Sequence, residues 1–299
     1  MASLYTHQAS NVRKTWLLMA GFLVIVVAIG YAVAWYLQEP SLLYVAIAFS
    51  LLMNVSAYWF SAKIAIASTG ATEADPAEFR ELHRLVENLA ITAGLPKPRV
   101  YVIHDPAPNA FAAGRNKEHA VVAVTTGLLE RLDRTELEGV IAHELAHIGN
   151  RDILVMTVAV VLAGFVAMLA DIFLRMSFFG GGDRDSKGNA LFAVLAILGI
   201  ILAPIAAQLI QLAISRRREY LADASGALLT RYPDGLASAL RKISSYEAPM
   251  ERASHATAHL FISNPFGAHE GGKWIAGLFA THPPVEKRIE VLQGMRSQM

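Results

Sequence analysis

His143, Glu144 and His147 lie in the segment His143-Glu144-Leu145-Ala146-His147. On a helix, residues four apart are close to one turn apart, so both imidazoles leave the same face and can bind one ion. Glu144 adjoins the first histidine, where its carboxylate can take a proton from a water held by that ion. Two neutral nitrogen ligands beside a base form the donor set of a zinc peptidase. The competing readings are a chance match and a structural histidine pair on a buried face. The second leaves the Glu144 carboxylate buried with no partner, which is costly; a metal removes that cost.

A third ligand has to come from elsewhere, with the fourth position left open to water. The best candidate is Glu219, in Arg216-Arg217-Arg218-Glu219-Tyr220-Leu221-Ala222-Asp223. Glu219 and Asp223 share a helix face. Glu219 would bind the ion, and Asp223 would accept a hydrogen bond from the far ring nitrogen of a ligand histidine, fixing its tautomer. The plainer alternative is a solvated acidic pair balancing the arginines. Asp152 is a weaker candidate ligand, read as the continuation of the histidine helix.

These residues need a helix that starts cleanly. Asp133 with Glu136 fits a capping box, and Thr135 with Glu138 offers a second register. Apolar residues follow at Leu137, Val140, Ile141, Leu145 and Ile148, which is helical spacing, and no proline interrupts residues 134–148. Upstream, residues 75–93 read as an amphipathic helix with Pro76 near its start and Gly94 at its stop. Residues 99–103 and 119–125 read as strands of a small sheet. Between them lies Asn109-Ala110-Phe111-Ala112. The exposed edge of the sheet could bind an extended peptide by strand addition; the sheet could equally just support the helix.

The chain has 299 residues, of which 17% are charged, and a mean hydropathy of +0.39. That is too apolar for an ordinary soluble domain. Two apolar stretches, residues 15–37 and 41–60, are joined only by Gln38-Glu39-Pro40 and form a tight hairpin long enough to cross a bilayer. Trp16, Trp35, Tyr36, Tyr58 and Trp59 fall near the ends, as interfacial aromatics do. A cleaved signal peptide is the rival for the first stretch, since Ala32-Val33-Ala34 resembles a cleavage site; the length of the stretch and the immediate second span favour an anchor. Residues 153–174 and 191–214 form a second apolar pair around Gly180-Gly181-Gly182. They would span as well, or else be buried helices of the catalytic part. Arg13, Lys14, Lys63 and Arg216 to Arg218 place the N-terminus and the histidine helix on the cytoplasmic side. The third span then leaves just after His147 and the fourth returns just before Glu219.

The expected organisation is therefore a transmembrane hairpin (1–62), a catalytic part with the histidine helix (63–151), a second hydrophobic hairpin (152–214) and a C-terminal catalytic part with the third ligand (215–299). The fold class is a mainly α integral membrane protein with a zincin-like catalytic domain, a small β-sheet and about four transmembrane helices. With no cysteine in the chain, disulfides, thiolate ligands and a cysteine nucleophile are excluded. The net charge of +1 argues against nucleic acid, and no phosphate-binding glycine loop points to a nucleotide. Thr281-His282-Pro283-Pro284 precedes a helix carrying Arg288, and His282 or Arg288 would suit an oxyanion contact; a helix-capping neighbour is the bland alternative for His282. His255 and His259 are also four apart but lack the adjacent glutamate.

The ordered set of these motifs is specific: Val140-Ile141-Ala142-His143-Glu144-Leu145-Ala146-His147, the pair Glu219 and Asp223, Asn109-Ala110-Phe111-Ala112, and Thr281-His282-Pro283-Pro284 with Arg288. It resembles the HtpX family of membrane zinc proteases, related to the CAAX-processing Ste24 proteases and to Oma-type enzymes, over nearly the whole chain. The resemblance implies one Zn2+ on His143, His147 and Glu219, with Glu144 as base and Asp223 supporting a ligand. It places residues 109–112 and Arg288 at the substrate and gives His282 a transition-state role. It further implies a multi-pass protein of the bacterial inner membrane, its site facing the cytoplasm. Such a protein would cleave damaged or misfolded membrane proteins during envelope stress, and itself. A CAAX-type processing protease and a non-enzymatic metal-binding scaffold are the alternatives.

Overall fold

The computed structural model describes residues 4–179, 215–252, 257–266 and 283–296, with positions 197, 198, 200 and 202. Helices α1 (Leu4–Leu37) and α2 (Ser41–Trp59) form the N-terminal hairpin. The reversal is made at Gln38, which takes a left-handed φ of 57°. At 34 residues, α1 is about 51 Å long, well beyond the roughly 30 Å of a hydrocarbon layer. Its polar first turns therefore project past the bilayer. Val24, Trp35, Tyr44 and Leu52 stay exposed along the hairpin, the surface that lipid requires and water penalises. Trp16 stacks on Tyr58 with ring centroids 6.0 Å apart, and the Arg115 guanidinium lies 4.5 Å from the Trp59 ring centroid. The aromatic belt thus meets the catalytic part directly.

Helix α7 (Asp152–Phe179) packs against both hairpin helices. Leu154, Val158, Val161 and Leu162 share a core with Leu18, Phe22 and Val26. The three helical stretches Gln8–Leu37, Ser41–Trp59 and Asp152–Arg175 are long and apolar enough to cross a membrane. The expected fourth span, 191–214, and the loop around Gly180 fall outside the described residues.

Next come α3 (Ser61–Thr69), α4 (Arg80–Thr92), α5 (Thr126–Arg131), α6 (Arg134–Gly149), α8 (Arg216–Thr230), α9 (Pro233–Ser244) and α10 (Val285–Arg296). The sheet comprises β1 (Thr72–Glu73), β2 (Arg99–Ile103), β3 (Ala110–Ala113) and β4 (Val121–Thr125) in the order β1-β2-β4-β3. β2 and β4 run parallel, and β3 is antiparallel to β4. The α4 helix starts later than its apolar pattern predicts. Asp75 instead builds a turn, accepting the Ala77 N–H on its side chain and the Phe79 N–H on its carbonyl. His119 closes a short 3-10 turn rather than opening β4.

The pleat sends alternate residues of β3 to opposite faces. Ala110 and Ala112 meet α6 residues Val140, Ile141 and Ala142 in the main core. Phe111 and Ala113 join Val160 of α7 and Phe261 on the other face. The sheet is thus clamped between the histidine helix and a membrane helix.

The start of α6 is fixed as its sequence predicts. The Asp133 side chain accepts the Glu136 N–H, and Glu136 accepts the Asp133 N–H. Glu136 also accepts from Ser238 Oγ at 2.7 Å and Lys242 Nζ at 2.6 Å, both on α9. One carboxylate thereby caps α6 and ties it to a neighbouring helix. Glu136→Ala should destabilise the protein by about 2 kcal/mol, from a lost cap and two lost half-buried bonds. Denaturant unfolding in detergent measures this; a shift under about 0.5 kcal/mol would contradict the assignment.

Candidate metal centre

Helix α6 delivers His143 and His147 from one face, with ring planes at 89° and centroids 4.7 Å apart. Their Nε2 atoms are 3.2 Å apart. Glu219, in the first turn of α8, closes the triangle: Oε2 is 3.8 Å from His143 Nε2 and Oε1 is 3.6 Å from His147 Nε2. All three residues are buried.

Two features of the sequence bring α8 this close. Glu219, Asp223 and Gly226 recur at helical spacing and share the face toward α6. A Cβ at Gly226 would stand 2.9 Å from the His143 backbone nitrogen; only glycine allows that approach.

Each ligand imidazole is held from behind by a buried carboxylate. His143 Nδ1 faces Asp223 Oδ1 at 2.9 Å, and His147 Nδ1 faces Asp152 Oδ2 at 3.0 Å. The Asp152 hydrogen bond selects the Nδ1–H tautomer of His147 and turns its Nε2 lone pair inward. Asp223 stands at ion-pair distance behind His143 Nδ1 without hydrogen-bond alignment and favours the same tautomer by charge. Two nitrogen lone pairs and a carboxylate then face one another, an arrangement that only a proton or a cation makes favourable. Tetrahedral zinc with bonds of about 2.0–2.1 Å would hold such atoms about 3.3 Å apart. The observed separations bracket that value, so the donor set fits the ion.

The electrostatics agree. Burial alone would lower the His147 pKa, but Glu219 and the Asp152 hydrogen bond outweigh it and push the ring from 6.5 up to about 9. Without a metal, the triangle therefore captures a proton. Burial raises the Glu144 carboxyl, against the opposing pull of His143 and His147. Burial also works to raise Asp223, yet Arg288 overrides it and holds Asp223 well below the usual carboxylate range.

Two residues take places the sequence did not assign them. The histidine helix does not run on into Asp152. It ends at Gly149, Arg151 takes a left-handed φ of 58°, and Asp152 opens α7. That break swings Asp152 behind His147, as a support for the ring and not a ligand. Arg288, expected to touch substrate, is fully buried. It donates from Nε and Nη2 to the two Asp223 oxygens at 2.8 and 2.7 Å, and from Nη1 to the Ile262 carbonyl at 3.1 Å. A guanidinium with no water access has to be paired, and its pairing fixes Asp223.

The β3 edge also differs from the open edge expected. Phe261 forms an antiparallel bridge with Phe111, and the Ile262 N–H donates to the Ala110 carbonyl at 2.9 Å. The Asn109 amide donates to the Ser263 carbonyl at 3.0 Å. The chain's own segment therefore sits where a peptide strand was expected to add. His282 and His255 lie outside the described residues, and His259 is buried in a 3-10 turn.

A family model described as peptidase family M48 matches residues 76–296. The chain is 51% identical to "Protease HtpX homolog" of Caldanaerobacter subterraneus subsp. tengcongensis over 98% of each chain. It is 50% identical to the protein of the same description from Thermoanaerobacter pseudethanolicus, again over 98% of each. The value for that of Pyrococcus furiosus is 49%, over 96% of each. Among solved structures, S. mikatae Ste24p is similar with a TM-score of 0.49 at 18% identity, covering 96% of this chain and 67% of that one.

Because metal uptake must displace the His147 proton, zinc affinity should rise about tenfold per pH unit below pH about 9 and level off above it. The sign for the metal-free protein is opposite. Its raised pKa gives stability present in full below pH 6.5 and lost as pH climbs through about 9. Chelator competition between pH 6 and 9 measures the first effect, and an affinity independent of pH would contradict the triangle.

Proposed function

The chain belongs to peptidase family M48 and is a membrane metalloprotease of the HtpX type, and from that premise we propose that it is a zinc endopeptidase of the inner (cytoplasmic) bacterial membrane. Its site faces the cytoplasm, and damaged or misfolded membrane proteins are its substrates. The observation that carries the zinc assignment is the buried triangle of His143 Nε2, His147 Nε2 and Glu219, all acceptors at zinc-ligand spacing. Imidazole-rich, sulfur-free sites with an open position favour zinc among the divalent ions.

Bound zinc would supply Lewis acidity for the attacking water and the scissile carbonyl. Glu144 takes the proton from that water and returns it to the leaving amine. Its burial raises the carboxyl pKa, toward the range in which one group both accepts and donates at neutral pH. Asp223 and Asp152 keep the two imidazoles in the tautomer that binds. Arg288, paired with Asp223, keeps that carboxylate ionised. His282 retains, from sequence, the role of an oxyanion contact.

The membrane-protein substrate class is supported by architecture. The histidine helix ends at Gly149, and only Asn150 and Arg151 separate it from the membrane helix α7. The metal centre consequently lies next to the bilayer surface, where a polypeptide slipping out of the membrane arrives first. The cytoplasmic orientation is supported by Arg13, Lys14 and Lys63 flanking the hairpin.

Glu144→Gln should keep stoichiometric zinc and lose at least about 10²-fold in cleavage of an unfolded protein. Near-wild-type cleavage by that variant in detergent would reject Glu144 as the base. The chain lacks cysteine, so a single cysteine at exposed Lys117 reports topology. An impermeant maleimide should label it only after the inner membrane is opened; labelling from the periplasm would overturn the orientation.

A further inference from the structure

Asp152 is buried to 1% exposure and carries no ligand role, yet it holds His147 from behind. What holds Asp152 comes from the first membrane helix. Asn11 Nδ2 donates to Asp152 Oδ1 at 2.7 Å and to the Asn150 carbonyl at 3.1 Å. One turn earlier, Gln8 Nε2 donates to the Gly149 carbonyl at 2.7 Å. Both neighbours of the Asn11 amide are acceptors, so only its NH2 end can face them. Asn11 itself is 4% exposed.

A rival donor stands on the other side. Arg218 Nε lies 3.7 Å from the same Asp152 Oδ1, an ion-pair distance too long for a hydrogen bond. Among the described residues none of its three guanidinium nitrogens makes a hydrogen bond, and the side chain is 8% exposed. An unsatisfied buried guanidinium beside a buried carboxylate pulls strongly. With Asn11 in place, Oδ1 is fixed and Oδ2 points at His147. Without it, the carboxylate can turn toward Arg218 and leave the His147 Nδ1–H without an acceptor.

We propose that Asn11, on the polar end of the first membrane helix, is a positioning residue of the metal centre: it holds Asp152 against Arg218 so that Asp152 orients His147. The site then has matching supports on its two sides. Arg288 of α10 fixes Asp223 behind His143, and Asn11 of α1 fixes Asp152 behind His147. The N-terminal hairpin is on this account a working part of the metal site and more than an anchor. The proposal rests on the zinc reading of His143, His147 and Glu219.

The test uses the full-length chain in detergent and reads zinc affinity by competition with a chromogenic chelator. Asn11→Leu keeps the size of the side chain and removes its donor; Gln8→Ala removes only the cap on Gly149. Asn11→Leu should weaken zinc binding by about tenfold, in the range seen when outer hydrogen-bond partners of metal ligands are removed, whereas Gln8→Ala should stay within about twofold. Asn11→Leu with Arg218→Met should regain most of the loss, because the competing donor is gone; a merely structural defect would not be restored. Wild-type affinity in Asn11→Leu, or a loss that Arg218→Met does not restore, would overturn the proposal. If Asn11→Leu does not fold, Asn11→Ala is read by the same criteria. Failure of the wild-type protein to bind zinc, or unchanged binding by His147→Ala, would overturn the zinc reading itself and is distinguishable from both.

Discussion

Two imidazole nitrogens and one carboxylate converge inside a buried pocket, and their need for a shared proton or cation governs the catalytic part. His143 Nε2 and His147 Nε2 stand 3.2 Å apart, with Glu219 oxygens at 3.8 and 3.6 Å. Without a cation the cluster holds a proton on His147; with a metal ion at its centre, the ion's charge would take that proton's place. Much of the nearby structure serves to hold it. Asp223 and Asp152 aim the rings, Arg288 keeps Asp223 charged, Gly226 lets α8 approach, and Glu136 fixes where α6 begins. Buried charge at this density is tolerable only because each group has an opposite within reach.

The second organising feature is that membrane and metal share elements. α7 begins with the carboxylate that supports His147 and continues as a helix apolar enough to span a bilayer. α1 reaches past the bilayer and donates to the end of α6. The sheet is pinned between α6 and α7 through alternating faces of β3. A tilt of the membrane helices would therefore be felt at the metal ligands through hydrogen bonds and packed side chains.

Much of this was legible in the chain. The histidine pair, its capping box, the hairpin around Gln38-Glu39-Pro40 and the shared face of Glu219 and Asp223 all follow from spacing, because helical period is a local property. What could not be read were the supports that depend on where helices break and cross. Nothing marks Arg151 as the left-handed residue that detaches Asp152 from α6, since arginine rarely takes that conformation. Asn11 and Gln8 look like ordinary polar residues flanking an apolar stretch. Arg288 looked like a substrate contact because helix period did not separate its face from the solvent one; its neighbours Glu286, Lys287 and Glu290 are exposed while it is fully buried. Asp223, an acid needing a cation, was the one clue to its partner. The pairing of Phe261 with the β3 edge joins residues 150 positions apart, beyond any local pattern.

X-ray absorption at the zinc edge on the full-length protein tests the central claim most directly. The account predicts a first shell of nitrogen and oxygen at about 2.0–2.1 Å, with the multiple scattering of two imidazoles. The His143→Ala and His147→Ala variants should each lose one of those two rings. A zinc shell with fewer than two imidazoles, or one that survives unchanged in both variants, would show that the cation sits elsewhere and would contradict the account.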